Sequence, residues 1–136
     1  MLADVAQRYY LEGDYNCAET VLLAANEAYG LGLDPETSLR LVSAFGAGMG
    51  CGMTCGALAG GMAVLGCAAV DGRAHATKGF RDLCAAYVRR FDEALGGRDC
   101  VHLKPKHFSR ETRCLQTVRL ACDVLEQQMR ELGRDA

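Results

Sequence analysis

The sequence lacks tryptophan and contains only two prolines and three histidines among its 136 residues. The histidines, His75, His102 and His107, fall in predicted loops or short turns, where we expect solvated side chains. No Ser-His-Asp set can be picked out, and no CxxC or CxxCH pair occurs. These absences argue against thioredoxin-like and zinc-ribbon motifs and against a c-type haem attachment site.

Positive and negative charges are nearly balanced, because the chain has 15 Lys and Arg and 17 Asp and Glu residues, for a net charge of −2. This balance offers no electrostatic basis for binding nucleic acid or an anionic membrane. The first residues, MLADVAQRYYLEGD, lack the basic and apolar regions of a secretory signal. We therefore expect a cytoplasmic protein.

Cysteine, in contrast, is abundant, at eight of 136 residues. In a reducing compartment, a set of this size favours metal binding or redox chemistry over a disulfide scaffold. The length of the chain predicts one domain, residues 1–136, with a core large enough to be stable without disulfide bonds.

The longest uncharged stretch covers residues 41–70 and contains eight glycines and three cysteines. It is long enough to span a bilayer. However, the glycines at 46, 48, 50 and 52 would weaken a single helix there. We expect two shorter buried helices joined by a glycine bend, and no stable membrane insertion.

Elsewhere apolar residues recur at three- and four-residue spacing, which is typical of amphipathic helices, and no convincing strand is present. The sequence predicts an all-α bundle of about five main helices with a buried Gly/Ala-rich central helix. The five cover residues 17–29, 35–45, 55–69 and 76–95 and a segment that starts at Ser109. A short helix at 2–11 and a turn at 100–103 accompany them.

Three cysteines, Cys17, Cys55 and Cys100, directly follow residues that can cap a helix, which predicts each at the first position of a helix. The capping residues are Asn16, Thr54 and Asp99. A helix N-terminus carries partial positive charge and free N–H groups, which lower the pKa of a thiol. We expect thiolates at these positions, suited to nucleophilic attack or metal ligation.

The remaining cysteines are placed differently. Cys114 is predicted in the first turns of the last helix, and Cys51 in the glycine bend. The other three, Cys67, Cys84 and Cys122, fall on apolar helical faces, where we expect them to act as small hydrophobic packing residues.

The order of these motifs resembles the C_GCAxxG_C_C family of redox-active proteins over essentially the whole chain. The resemblance rests on YNC at residues 15–17, on GMG at 48–50 leading into CGALAG at 55–60, and on the later Cys100 and Cys114. It implies a small, largely helical, cytoplasmic protein with four functional cysteines. Cys51 is an additional thiol beside the motif, and Cys122 competes with Cys114 for the last position.

A similar domain occurs in split-Soret cytochromes, where it is associated with an iron–sulfur centre. The first hypothesis is therefore an iron–sulfur or other metal centre held by Cys17, Cys55, Cys100 and Cys114, because four thiolates suit iron–sulfur or zinc. The resemblance alone favours iron–sulfur over zinc.

Two alternatives stay open. One is a metal-free thiol–disulfide oxidoreductase in which Cys55 attacks and Cys17, Cys51 or Cys100 resolves the mixed disulfide. The other is a non-catalytic helical module whose apolar face serves a homodimer or a membrane partner. The redox hypotheses require a redox partner protein, which the sequence does not identify.

Overall fold

The computed structural model describes all 136 residues and contains seven α-helices and no β-sheet. The helices are α1 (Leu2–Gly13), α2 (Cys17–Tyr29), α3 (Pro35–Val42), α4 (Gly56–Ala69), α5 (Phe80–Leu95), α6 (Cys100–His107) and α7 (Leu115–Glu131). The predicted all-α class is confirmed, whereas the predicted number of about five helices is too low.

The difference in number comes from the two segments that the sequence presents as minor. The segment at 100–103 continues through Pro105 to His107 as α6, and the segment at 2–11 continues to Gly13 as α1. The last helix, by contrast, begins six residues later than predicted. Ser109 and Arg113 instead close a tight turn through two backbone hydrogen bonds of 3.0 and 2.7 Å.

Small residues allow α2 and α4 to pack closely at the centre of the bundle. A Cβ atom at Gly60 would lie only 2.7 Å from the carbonyl oxygen of Ala18. On the other side of α4, Gly61 leaves space for the hydroxyl of Tyr87, which is fully buried. The buried Gly/Ala-rich central helix of the prediction is therefore α4, and its glycines set the distance between neighbouring helices.

The glycine bend lies between α3 and α4, as predicted, and it turns through left-handed backbone. The φ angles are 60° at Gly48, 62° at Met49 and 73° at Gly50. Gly48 is buried, and a Cβ atom there would lie 2.5 Å from the Met53 carbonyl oxygen and 2.7 Å from the Cys100 Cβ. Glycine at this position brings residues 48–53 against the start of α6.

The uncharged stretch at 41–70 is thus divided among the end of α3, the glycine bend and α4. No helix in the structure combines the length and the apolar character needed to cross a bilayer.

Candidate four-cysteine site

Four cysteines at the starts of four different helices line one cavity of about 310 Å³. They are Cys17, Cys55, Cys100 and Cys114, and all four are free thiols. The fold therefore brings together residues that lie up to 97 positions apart in the chain. The rest of the wall includes the cations Lys104 and Arg113 and the aromatic rings of Tyr10 and Phe108.

Each of these cysteines lies at the N-terminus of its helix. Cys17 is the first residue of α2 and Cys100 the first residue of α6, as predicted. Cys55 and Cys114 are instead the N-cap residues of α4 and α7. The free N–H groups and partial positive charge of four helix starts therefore lie around one cavity, an arrangement that favours anionic sulfur.

A capping box explains the position of Cys17. The Asn16 side chain accepts a hydrogen bond from the Glu19 amide at 2.9 Å, and the Glu19 carboxylate accepts one from the Asn16 amide at 2.9 Å. The Asn16 side-chain nitrogen also donates to the Ser43 carbonyl oxygen at 3.0 Å. These bonds hold the first turn of α2 against the end of the α3 segment.

The prediction that Thr54 caps α4 is wrong. Thr54 instead forms an isolated antiparallel bridge with Asp99. The Cys55 amide donates to the Arg98 carbonyl oxygen at 2.8 Å, and the Cys100 amide donates to the Met53 carbonyl oxygen at 2.6 Å. This pairing joins the starts of α4 and α6, so that Cys55 and Cys100 reach the same cavity.

The thiols of Cys17 and Cys114 shift each other's pKa in opposite directions. Interaction with Cys114 and desolvation of its thiol raise the pKa of Cys17 well above its ordinary value. Interaction with Cys17 lowers the pKa of Cys114, with smaller contributions from Lys104, Tyr10 and Arg113. The pair is therefore suited to carry one thiolate on Cys114 and one proton on Cys17.

Burial raises the pKa of both Cys55 and Cys100. At Cys55, the nearby backbone N–H groups of Ala57 and Leu58 oppose that rise without cancelling it. The predicted effect of the helix N-terminus is thus present at Cys55 but smaller than the desolvation of the thiol. The expectation of lowered pKa values at Cys17, Cys55 and Cys100 is wrong, and Cys114 has the lowered pKa instead.

The other four cysteines do not line the cavity. Cys51 is exposed in the glycine bend, and its thiol donates to the Gly48 carbonyl oxygen at 3.7 Å. Cys122 is fully buried in α7, where burial raises its pKa to about 12. Cys84 is partly buried, but Cys67 is exposed on α4, so the expectation of a packing role is wrong for Cys67.

Reasoning from sequence assigned no role in the site to Tyr10, Lys104 or Arg113, which all line the cavity. Tyr10 lies on α1, which the sequence presented only as a short helix. Arg113 directly precedes Cys114, and that adjacency was the one signal available. Together these residues give the Cys114 side of the cavity one hydroxyl and two positive charges.

No three side chains of His, Cys, Asp or Glu are arranged as ligands of one metal ion. The four thiols are instead distributed over the wall of the cavity. The donor type, cysteine sulfur, is the soft kind that zinc and iron–sulfur clusters take.

The fold and the cavity define a helical protein with a four-cysteine site. Residues 15–128 match the model of the family described as "Putative redox-active protein (C_GCAxxG_C_C)", and the chain belongs to this family. Comparisons with curated proteins and with solved structures found no match.

Proposed function

We propose that Cys17, Cys55, Cys100 and Cys114 hold an iron–sulfur cluster and that the protein transfers electrons to and from a redox partner. The observation that carries this proposal is the convergence of four free thiols, each from the start of a different helix, on one cavity. Four cysteine thiolates are the usual ligand set of [2Fe–2S] and [4Fe–4S] clusters.

The surroundings of the thiols support this ligand set. A cluster with four thiolate ligands is anionic, and Lys104, Arg113 and the helix N-termini place positive charge around the cavity. The backbone N–H groups of Ala57 and Leu58, at the start of α4, favour the thiolate form of Cys55 by lowering its pKa. Polar groups that stabilise ligand sulfurs in this way tune the reduction potential of a cluster. When bound, the cluster would supply one-electron transfer.

The test is anaerobic purification followed by a visible spectrum and an iron assay. We expect iron and charge-transfer absorption in the wild-type protein and their loss in Cys55→Ser. Cys51→Ser is the matched control, because Cys51 is only four residues away and does not line the cavity. A wild-type protein that stays colourless and iron-free after anaerobic reconstitution with iron and sulfide would contradict the proposal.

Cys17 and Cys114 line the same cavity and shift each other's pKa in opposite directions, which favours a second candidate, a metal-free thiol–disulfide reaction. The Cys114 thiolate would attack a disulfide of the partner, forming a mixed disulfide and releasing one partner thiol. Cys17, after losing its proton, would attack the Cys114 sulfur and release the second thiol. The partner disulfide is thereby reduced by two electrons, and Cys17 and Cys114 become a disulfide.

This candidate places the nucleophile at Cys114 rather than at Cys55, because burial raises the pKa of Cys55. Incubation with oxidised glutathione should then remove two free thiols per chain, reversibly, in the wild type. Cys114→Ser should prevent the loss, whereas Cys84→Ser should not. A protein that retains all eight thiols under these conditions would rule out the second candidate.

A further inference from the structure

Tyr10 contacts Cys114, although it lies outside residues 15–128, which match the family model. The Tyr10 side chain lines the cavity, and the residue is only 4% exposed. The backbone N–H of Cys114 donates a hydrogen bond to the Tyr10 hydroxyl oxygen at 3.1 Å. The Tyr10 hydroxyl also contributes to the lowered pKa of the Cys114 thiol.

We propose that Tyr10 is a positioning residue of the four-cysteine site, which orients Cys114 through the amide and stabilises negative charge on its sulfur through the hydroxyl. The inference rests on the proposed function in one respect, namely that Cys114 is one of the redox-active sulfurs. It adds α1 to a site whose cysteines all come from α2, α4, α6 and α7.

Arg113 holds Tyr10 in place from the loop before α7. Its guanidinium lies 4.7 Å from the centre of the Tyr10 ring and donates to the Tyr10 carbonyl oxygen at 3.3 Å. It also pairs with Asp14 at 3.4 Å. Asp14 and Arg113 both have left-handed backbone, with φ angles of 56° and 54°, so the end of α1 and the approach to Cys114 are both sharply turned.

A second set of contacts fixes the beginning of α1 on α7. The Leu2 amide donates to the Glu126 carboxylate at 2.8 Å, in a buried hydrogen bond. Arg119 donates to the Ala3 carbonyl oxygen at 3.2 Å and to the Gln7 side chain at 2.8 Å. Because α1 is held at both ends, the Tyr10 hydroxyl is preorganised at Cys114.

Loss of the Tyr10 hydroxyl should shift the reduction potential in the same direction under both candidate functions. A hydrogen-bond donor stabilises electron-rich sulfur, so it favours the reduced form of a cluster and the thiolate over the disulfide. Tyr10→Phe removes this donor and keeps the aromatic ring. The redox couple of the variant should therefore be harder to reduce than that of the wild type.

The test compares Tyr10→Phe with Tyr9→Phe as a matched control, since the Tyr9 hydroxyl donates to Glu27 at 2.9 Å, and Tyr9 does not line the cavity. The first measurement is amide hydrogen exchange of Cys114 in the metal-free, reduced protein. The second is the midpoint potential of the iron-loaded protein or, if no iron binds, of the thiol–disulfide couple in glutathione buffers.

We expect exchange at the Cys114 amide to become about five- to tenfold faster in Tyr10→Phe, because one hydrogen bond is lost. The midpoint potential should become more negative in the same variant, and Tyr9→Phe should change neither quantity. Unchanged exchange and potential in a folded Tyr10→Phe protein would overturn the inference, as would equal changes in both variants.

The outcomes for the two proposals are separable. A protein that shows neither an iron couple nor a thiol–disulfide couple contradicts the proposed function, whatever Tyr10 does. An active couple that is insensitive to Tyr10→Phe contradicts only the inference about Tyr10. If Tyr10→Phe does not fold, 4-fluorophenylalanine at position 10 fills the space of the hydroxyl and provides the same test, because it cannot donate.

Discussion

The amide of Cys100 donates a hydrogen bond of 2.6 Å to the carbonyl oxygen of Met53. This bond joins the glycine bend to the start of α6, next to the backbone of Gly48. The cavity therefore depends on how closely two loop segments approach, as well as on the packing of the helices.

Gly48→Ala should disrupt this approach. The new Cβ would lie 2.5 Å from the Met53 carbonyl oxygen, and the φ angle of 60° disfavours alanine. Overpacking and backbone strain together should lower the free energy of unfolding by about 2–4 kcal/mol. Gly50→Ala is the control, because its φ is also positive but its Cβ meets nothing within 4 Å. Equal urea midpoints for the two variants would contradict this description of the bend.

The close packing of α2 and α4 predicts opposite changes in stability for two glycine-to-alanine variants of α4. Gly60→Ala should destabilise the protein by about 1–3 kcal/mol, because its Cβ would lie 2.7 Å from the Ala18 carbonyl oxygen. Gly66→Ala, in the same helix, meets nothing within 4 Å and should stabilise by about 0.5–1 kcal/mol through helix propensity. Chemical denaturation measures both. Destabilisation by Gly66→Ala similar to that by Gly60→Ala would show that the spacing between helices is not the cause.

Tyr87 provides a prediction about the core. Its hydroxyl is buried without a hydrogen-bond partner, and the residue is completely inaccessible to solvent. Because an unpaired buried hydroxyl costs free energy, Tyr87→Phe should stabilise the protein by about 1 kcal/mol. Tyr10→Phe removes a paired hydroxyl and should destabilise instead. Thermal unfolding of the two variants under the same conditions should give melting temperatures that shift in opposite directions; a fall in both would contradict the prediction.

The lowered pKa of Cys114 predicts how the reduced, metal-free protein reacts with iodoacetamide. A thiolate forms when the pH exceeds the pKa of the thiol, so Cys114 should react at pH values below the ordinary thiol pKa of about 8.5. Cys17 and Cys122 should stay unmodified there, because their pKa values are raised. Peptide mass spectrometry identifies the modified residue. Modification of Cys55 before Cys114 would contradict the prediction and would identify Cys55 as the reactive thiol.

Local signals in the sequence were sufficient for much of the fold. Asn16 caps α2 as predicted, and Asp34 caps α3 in the same way. Each side chain accepts a hydrogen bond of 2.9 Å from the amide three residues later. The glycines at 46–52 predicted the bend. These features depend on residues within a few positions of each other, and their physical basis is therefore visible in the sequence.

The candidate site was predictable only as a set of residue types. The helix-start position of Cys17 follows from the capping box at Asn16, but the effect of Cys114 on the pKa of Cys17 depends on how α2 and α7 pack. The desolvation that raises the pKa of Cys55 likewise depends on how other parts of the chain pack around it. The contribution of Tyr10 also arises from tertiary packing, because no motif in the sequence connects α1 with Cys114.

The most direct test of the central claim is the iron content and visible spectrum of one variant, Cys51→Ser/Cys67→Ser/Cys84→Ser, reconstituted anaerobically beside the wild type. This variant keeps the four cavity cysteines and the fully buried Cys122. We expect the same iron stoichiometry and charge-transfer absorption in both proteins. Loss of iron from the variant, with iron retained by the wild type, would show that the ligands lie outside the cavity, and absence of iron from both would contradict cluster binding altogether.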